Sequence, residues 1–136
     1  MHKISPCIWL DEEALEAANF YNSVFEDSEM LTVSHYLKDA PMPEGTVLVA
    51  QIRIANIELN LLNGGPIFKV NPSISLIVEC ESEKQLENLW QQLSKEGSIL
   101  MELQEYDFSK KYGWCADKYG VNWQLMISNK KLEIYP

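Results

Sequence analysis

At 136 residues the chain is the length of a single domain, and a domain of this size buries roughly two-thirds of the surface that its unfolded form exposes, enough for a real core. Hydrophobic residues make up 46% and charged residues 23%, which is too apolar for a disordered chain and points to a folded enzyme or binding domain. The 20 acidic and 11 basic side chains give a net charge of -9, so the molecular field repels phosphate backbones and anionic lipid, and neither nucleic acid nor a membrane is an expected partner.

No stretch approaches the ~20 apolar residues that span a bilayer, and the N-terminus MHKISPCIWLDEE lacks the hydrophobic run of a signal peptide, so the expected location is the cytoplasm. The adjacent basic pairs, Lys110-Lys111 and Lys130-Lys131, read as solvated surface. Three cysteines, Cys7, Cys80 and Cys115, form neither an even set nor a CxxC, which argues against disulfides and structural zinc and leaves them as small core or pocket residues.

In chain order, Ile4 to Leu10 is a short apolar run that reads as a strand, and Asp11 follows it as a candidate N-cap with Glu12 and Glu13 in the first turn. The helix extends to about Phe25, with Ala14, Ala18, Tyr21 and Phe25 forming a buried stripe. Leu31 to Tyr36 alternates like a half-buried strand. After the turn-rich Ala40 to Gly45, Val47 to Ile54 and Ile57 to Leu62 predict a hairpin turning at Ala55-Asn56.

Asn63 to Pro72, rich in glycine, proline and asparagine, reads as a linker between a first module at 1–62 and a second at 73–136. Ser73 to Cys80 predicts a strand, and Ser82 with Gln85 a capping box opening a helix that carries Leu86, Leu89, Trp90 and Leu93 on one face, with Gly97 as its terminator. Ile99 to Leu103, Tyr112 to Ala116 and Val121 to Ser128 predict three more strands. The halves share the order β-α-β-β-β, and the candidate caps Asp11 and Ser82 lie 71 residues apart (82 minus 11). The expected fold is therefore α+β, with two βαβββ modules in one domain.

The opening ISPCIWLDEEALEAANFYNSVF, the linker NGGPIFKVNPSISLIVECES and the closing WCADKYGVNWQL resemble the PhnB-like family over nearly the whole chain. Chains of that family carry the label 3-demethylubiquinone methyltransferase and belong to the vicinal-oxygen-chelate superfamily, with glyoxalase I, bleomycin-resistance proteins, fosfomycin-resistance enzymes and extradiol dioxygenases. The resemblance implies curled mixed sheets, paired modules facing each other across a cleft, and a homodimer. Methyl transfer finds no support in the residues, because Asn63-Gly64-Gly65 precedes a proline and not the helix that an adenosyl cofactor usually needs.

Metal-dependent relatives place His, Glu or Gln ligands on the first and last strands of each module. Here the resemblance puts Ser73 and Gln124 at those positions in module two, and Ser5-Pro6 with Glu58 or Asn60 in module one. Serine and proline are poor ligands, so no cofactor is expected. Glu58 and Gln124, with His35, are what a weak divalent-metal site would draw on. His35 shares an alternating face with Leu31 and Val33, which suits a histidine packed inside the barrel, while a pocket acid or base is the functional reading.

Gln51 and Arg53 share one face of their strand, either as a solvent-facing stripe or as a pocket wall where Arg53 takes a carboxylate or phosphate. Trp9 shares a face with Ser5 and Cys7, a mixed surface suited to a pocket wall. The resulting ligand-pocket set is Trp9, His35, Gln51, Arg53, Asn60, Ser73, Ser75, Trp114 and Gln124. The expected function is binding of a small organic molecule in the cleft between modules. A metal-dependent lyase, isomerase or transferase, and an interaction domain without a ligand, are the competing readings.

Overall fold

The structure, a computed structural model, describes residues 1–127. Along these residues the elements are β1 (Cys7–Leu10), α1 (Ala14–Val24), β2 (Ser28–His35), β3 (Val47–Ile54), β4 (Ile57–Asn63), β5 (Leu76–Glu79), α2 (Glu83–Ser94), β6 (Ser98–Tyr106), β7 (Ser109–Ala116) and β8 (Asn122–Ile127). The chain divides between Val70 and Asn71 into two compact units. Each unit holds one helix and one mixed four-stranded sheet, ordered β1-β4-β3-β2 in the first and β5-β8-β7-β6 in the second. The outer pairs β1–β4 and β5–β8 are parallel and the others antiparallel, so the β-α-β-β-β order read from the sequence is the order found. The end of the last predicted strand, Ser128, and the pair Lys130-Lys131 lie outside the described residues.

Alternation decides which sheet face each helix covers. In the first unit Ala50, Ile52 and Ile54 of β3 and Leu59 and Leu61 of β4 are buried beneath α1, which contributes Ala14, Ala17, Ala18 and Tyr21. Three alanines in that stripe let the helix lie close to the sheet, while Tyr21 supplies bulk. In the second unit Leu86, Leu89, Trp90 and Leu93 of α2 cover Cys115, Trp123 and Leu125. Gly113 of β7 makes room for the Trp90 ring, since a Cβ there would stand 2.6 Å from Cζ3. The DKYG segment ends in a turn built around buried Asp117: its Oδ1 accepts from the backbone N–H groups of Tyr119 and Val121, and its Oδ2 accepts from Trp123 Nε1 at 2.9 Å.

Several predicted boundaries move. Asp11 does not cap α1; the helix begins at Ala14, and the Asp11 carbonyl accepts from the Gly65 N–H. Asn63, at the end of β4, takes over the cap: its Oδ1 accepts from the Ala14 N–H at 2.8 Å, and its Nδ2 donates to the Val47 carbonyl. The second helix follows the sequence reading, with Ser82 Oγ accepting from the Gln85 N–H and Gln85 Oε1 accepting from the Glu81 N–H. Gly97 is not the left-handed terminator; that conformation falls to Glu96 at φ 63°. Gly97 is small for another reason, because a Cβ there would drive into the Ala116 carbonyl.

Strands β2, β6 and β7 run longer than their apolar patterns suggested, and β5 is shorter, beginning at Leu76. β6 lies at a sheet edge and is irregular between Ile99 and Tyr106, so its pairing depends on backbone hydrogen bonds that leave no clean alternation in the side chains.

Candidate ligand-binding faces

Each helix covers one face of its sheet, and the polar residues of the alternating strands line the other. Gln51, Arg53, Glu58 and Asn60 fall on the uncovered face of the first unit, where the register sets Gln51 opposite Asn60, Asn60 opposite Cys7, and Arg53 opposite Glu58. Trp9 lies on the same face, one alternation beyond Cys7.

A continuous ladder of uncharged hydrogen bonds crosses this face. Thr32 Oγ1 donates to Gln51 Oε1 at 3.3 Å, Gln51 Nε2 donates to Asn60 Oδ1 at 3.2 Å, and Asn60 Nδ2 donates to Ser5 Oγ at 3.0 Å. Trp9 is half-buried; its Nε1 donates to the Gly65 carbonyl at 2.9 Å and its ring meets Phe68 edge-on at 4.9 Å. The glycine pair of the linker thus serves the indole: a Cβ on Gly64 would collide with the Trp9 ring, and Gly65 adopts φ 90°.

The second unit repeats the device with different residues. Tyr112 Oη donates to Gln124 Oε1 at 2.6 Å, and Gln124 Nε2 donates to Ser75 Oγ at 2.7 Å. Burial, with Tyr106 beside it, raises the Tyr112 phenol above its ordinary value, so it keeps its proton at neutral pH. Trp114 stands opposite Gln124 in the register, half-buried, with its Nε1 donating to Asn122 Oδ1.

The structure therefore gathers Trp9, Gln51 and Asn60 on one face, and Ser75, Trp114 and Gln124 on another. Ser73 joins neither: it is exposed, precedes β5, and its N–H donates to Asn71 Oδ1 in a local turn. Ser75, which also precedes β5, is the serine that accepts from Gln124. His35 is not packed inside the first unit; irregularities in β2 around Leu31 and before His35 break the alternation that grouped it with Leu31 and Val33, and it ends the strand exposed.

Arg53 lies on the expected face with its guanidinium already engaged. It donates to Asp27 Oδ1 at 3.1 Å and the Ala55 carbonyl at 2.7 Å, and lies 3.8 Å from Glu29. Glu58 pairs with Lys3 at 2.5 Å. Ser5, Thr32 and Tyr112 complete the ladders but were not in the predicted pocket set. Ser5 carried a usable signal, since it precedes Ser75 by 70 residues (75 minus 5), nearly the module repeat.

The residues at the implied ligand positions do not fit a divalent ion. In each unit a serine hydroxyl and a carboxamide are bonded to each other, and Glu58, the carboxylate alternative in the first, is paired with Lys3, which leaves a weak donor set. No group of three or more His, Cys, Asp or Glu placed to hold a metal occurs among the described residues.

Two βαβββ units with mixed four-stranded sheets define the glyoxalase/bleomycin-resistance fold of the vicinal-oxygen-chelate proteins. The sequence profile of the 3-demethylubiquinone-9 3-methyltransferase family matches residues 2–126, and the chain belongs to that PhnB-like family. A PhnB protein of Bacillus cereus, with a provisional assignment as a 3-demethylubiquinone-9 3-methyltransferase, is 39% identical over 93% of this chain and all (100%) of its own, with a TM-score of 0.85. Protein PA1353 of Pseudomonas aeruginosa shares the fold at 19% identity and TM-score 0.79, covering 94% of this chain and 98% of its own. So does a point mutant of the fosfomycin resistance protein FosX of Listeria monocytogenes, complexed with Mn(II) and 1S,2S-dihydroxypropylphosphonic acid, at 10% identity and TM-score 0.60 over 95% and 92% of the two chains. No curated protein sequence matches.

Proposed function

We propose that this chain binds a small organic molecule on the uncovered faces of its sheets, without a tightly held metal. The observation that carries this reading is the pair of ladders, Ser5–Asn60–Gln51–Thr32 and Ser75–Gln124–Tyr112, each laid across the sheet face opposite its own unit's helix. A merely solvated face has no need of side chains bonded to one another in series with a half-buried tryptophan on the same face. A ligand wall does, because ordered polar groups and rigid aromatic surface lower the entropy lost on binding.

Methyl transfer from an adenosyl cofactor is not part of the proposal. The segments that lead into the helices are Asp11-Glu12-Glu13 and Glu81-Ser82, with no glycine-rich turn, and Gly64-Gly65 accommodates Trp9. The homodimer implied by the family resemblance belongs to the proposal, as does a cytoplasmic location. Light scattering is expected to give twice the 15.6 kDa chain mass.

The test is elemental analysis after incubation with Ni²⁺, Mn²⁺ or Zn²⁺ and desalting, together with native mass spectrometry of freshly purified protein. Far less than one metal per chain and a co-purifying small organic molecule are expected. One tightly held ion per chain, released by Gln124→Ala, would overturn the metal-free reading.

A further inference from the structure

The two ladders have a direction, and in the first unit a proline fixes it. Asn60 Nδ2 lies 3.2 Å from the Pro6 carbonyl, which can only accept, so the nitrogen of this amide must face Pro6 and Ser5. Its Oδ1 then accepts from Gln51 Nε2, which turns Gln51 Oε1 toward Thr32 and makes the threonine hydroxyl the donor. Every bond points toward β1 and ends on Ser5 Oγ as an acceptor. Among the described residues no acceptor takes the Ser5 hydroxyl proton. The second unit runs in the same order, Tyr112 to Gln124 to Ser75, with the phenol donating to Gln124 Oε1, although among the described residues no fixed acceptor anchors that amide as Pro6 anchors Asn60. Bonds in series polarise one another, which makes a terminal O–H a better donor than an isolated serine.

Both ladders are uncharged. The cations that reach the first face are engaged, Arg53 with Asp27, Glu29 and the Ala55 carbonyl and Lys3 with Glu58, and the chain as a whole is strongly acidic. An anionic ligand would meet neither a free cation in the ladders nor a favourable field.

Resting on the binding reading above, the geometry points to the ligand's class: an uncharged, planar compound whose carbonyl oxygen accepts from the hydroxyl of Ser5 or Ser75 while its ring lies against Trp9 or Trp114. Each serine is a specificity-determining donor, and Arg53 is not an anion site.

The experiment titrates the ¹⁵N-labelled full chain with three probes of similar shape: acetophenone, benzoate and ethylbenzene. Acetophenone is expected to move the side-chain amide resonances of Asn60 and Gln124 and to bind about five-fold more tightly than ethylbenzene, the worth of one neutral hydrogen bond. Ser5→Ala and Ser75→Ala remove that advantage at their own face, and Ser→Thr at either position, which keeps the hydroxyl, retains it. Far-UV circular dichroism checks that each variant is folded, and the threonine variants carry the test should an alanine variant fail. Benzoate binding as tightly as acetophenone, or acetophenone and ethylbenzene binding alike in both wild type and serine variants, would overturn this inference while leaving small-molecule binding intact. No probe shifting either face, with no small molecule co-purifying, would sink the inference and the binding reading together.

Discussion

Asn63, the last residue of β4, caps helix α1 across 49 residues of sequence: its Oδ1 accepts from the Ala14 N–H at 2.8 Å while its Nδ2 donates to the Val47 carbonyl at 3.0 Å. Its own carbonyl accepts from Tyr36 Oη at 2.7 Å. One buried residue, through its side-chain amide and its backbone carbonyl, therefore ties together a helix start, the first residue of β3 and the segment after β2.

Replacing Asn63 by leucine strands a helix N–H and a strand carbonyl in a buried site. A loss of about 2–4 kcal/mol is expected, read from chemical denaturation. Asn63→Asp keeps an acceptor for Ala14 and adds a favourable charge at the helix start, but cannot donate to Val47. Its loss is expected to be smaller; equal losses would show that the cap contributes nothing.

The end of α2 offers a paired test. Glu96 holds a left-handed φ of 63° without being glycine, so Glu96→Gly is expected to stabilise by about 0.5–1 kcal/mol. Gly97→Ala forces a Cβ into the backbone carbonyl of Ala116 and is expected to cost more than about 2 kcal/mol. If Gly97 were instead the conformational terminator, the outcome at position 96 would change sign.

The cysteines should separate by reactivity. Cys7 is exposed, whereas Cys80 and Cys115 are buried and desolvation pushes their thiols up to about 11 and about 12. An aromatic disulfide reagent at pH 8 is expected to titrate one thiol rapidly in the folded chain and all three in guanidinium. Cys7, itself raised by partial burial, should react more slowly than a free thiol.

The same shifts set a pH dependence. An unfolded thiol ionises near its ordinary value of about 8.5, while the folded ones hold their protons longer. The folded state therefore binds more protons in that window, and stability falls as pH rises from about 8.5 toward 11–12. Below the unfolded value the contribution is fully present. Cys115→Ala is expected to flatten the alkaline fall, measured as the denaturation midpoint from pH 7 to 11.

Arg53→Met is expected to change stability by less than about 1 kcal/mol, because its ion pairs are with exposed Asp27 and Glu29. Titration with inorganic phosphate, followed by tryptophan fluorescence, should give no saturable response in either form. A phosphate response lost in the variant would restore Arg53 as an anion site.

Local sequence was enough for the repeated β-α-β-β-β order, the apolar face of each helix, the Ser82 cap and the tight hairpin at Ala55-Asn56. All of these depend on neighbours within a turn or two, where 3.6-residue and 2-residue periods and capping chemistry operate. Alternation also put Gln51 with Arg53, and Trp9 with Ser5 and Cys7, on shared strand faces, while Asn60 and Gln124 came from the family resemblance and not from any local pattern. Partnership, in contrast, emerged only in the folded chain. Asn63 replaced Asp11 as the cap, Ser5 and Tyr112 closed the ladders, Ser75 met Gln124 while Ser73 turned to Asn71, the bulges of β2 left His35 exposed, and Arg53 found its acids. Each of these rests on strand register and on contacts between residues far apart in the chain, and register is fixed by the packing of the whole sheet, which no local pattern records.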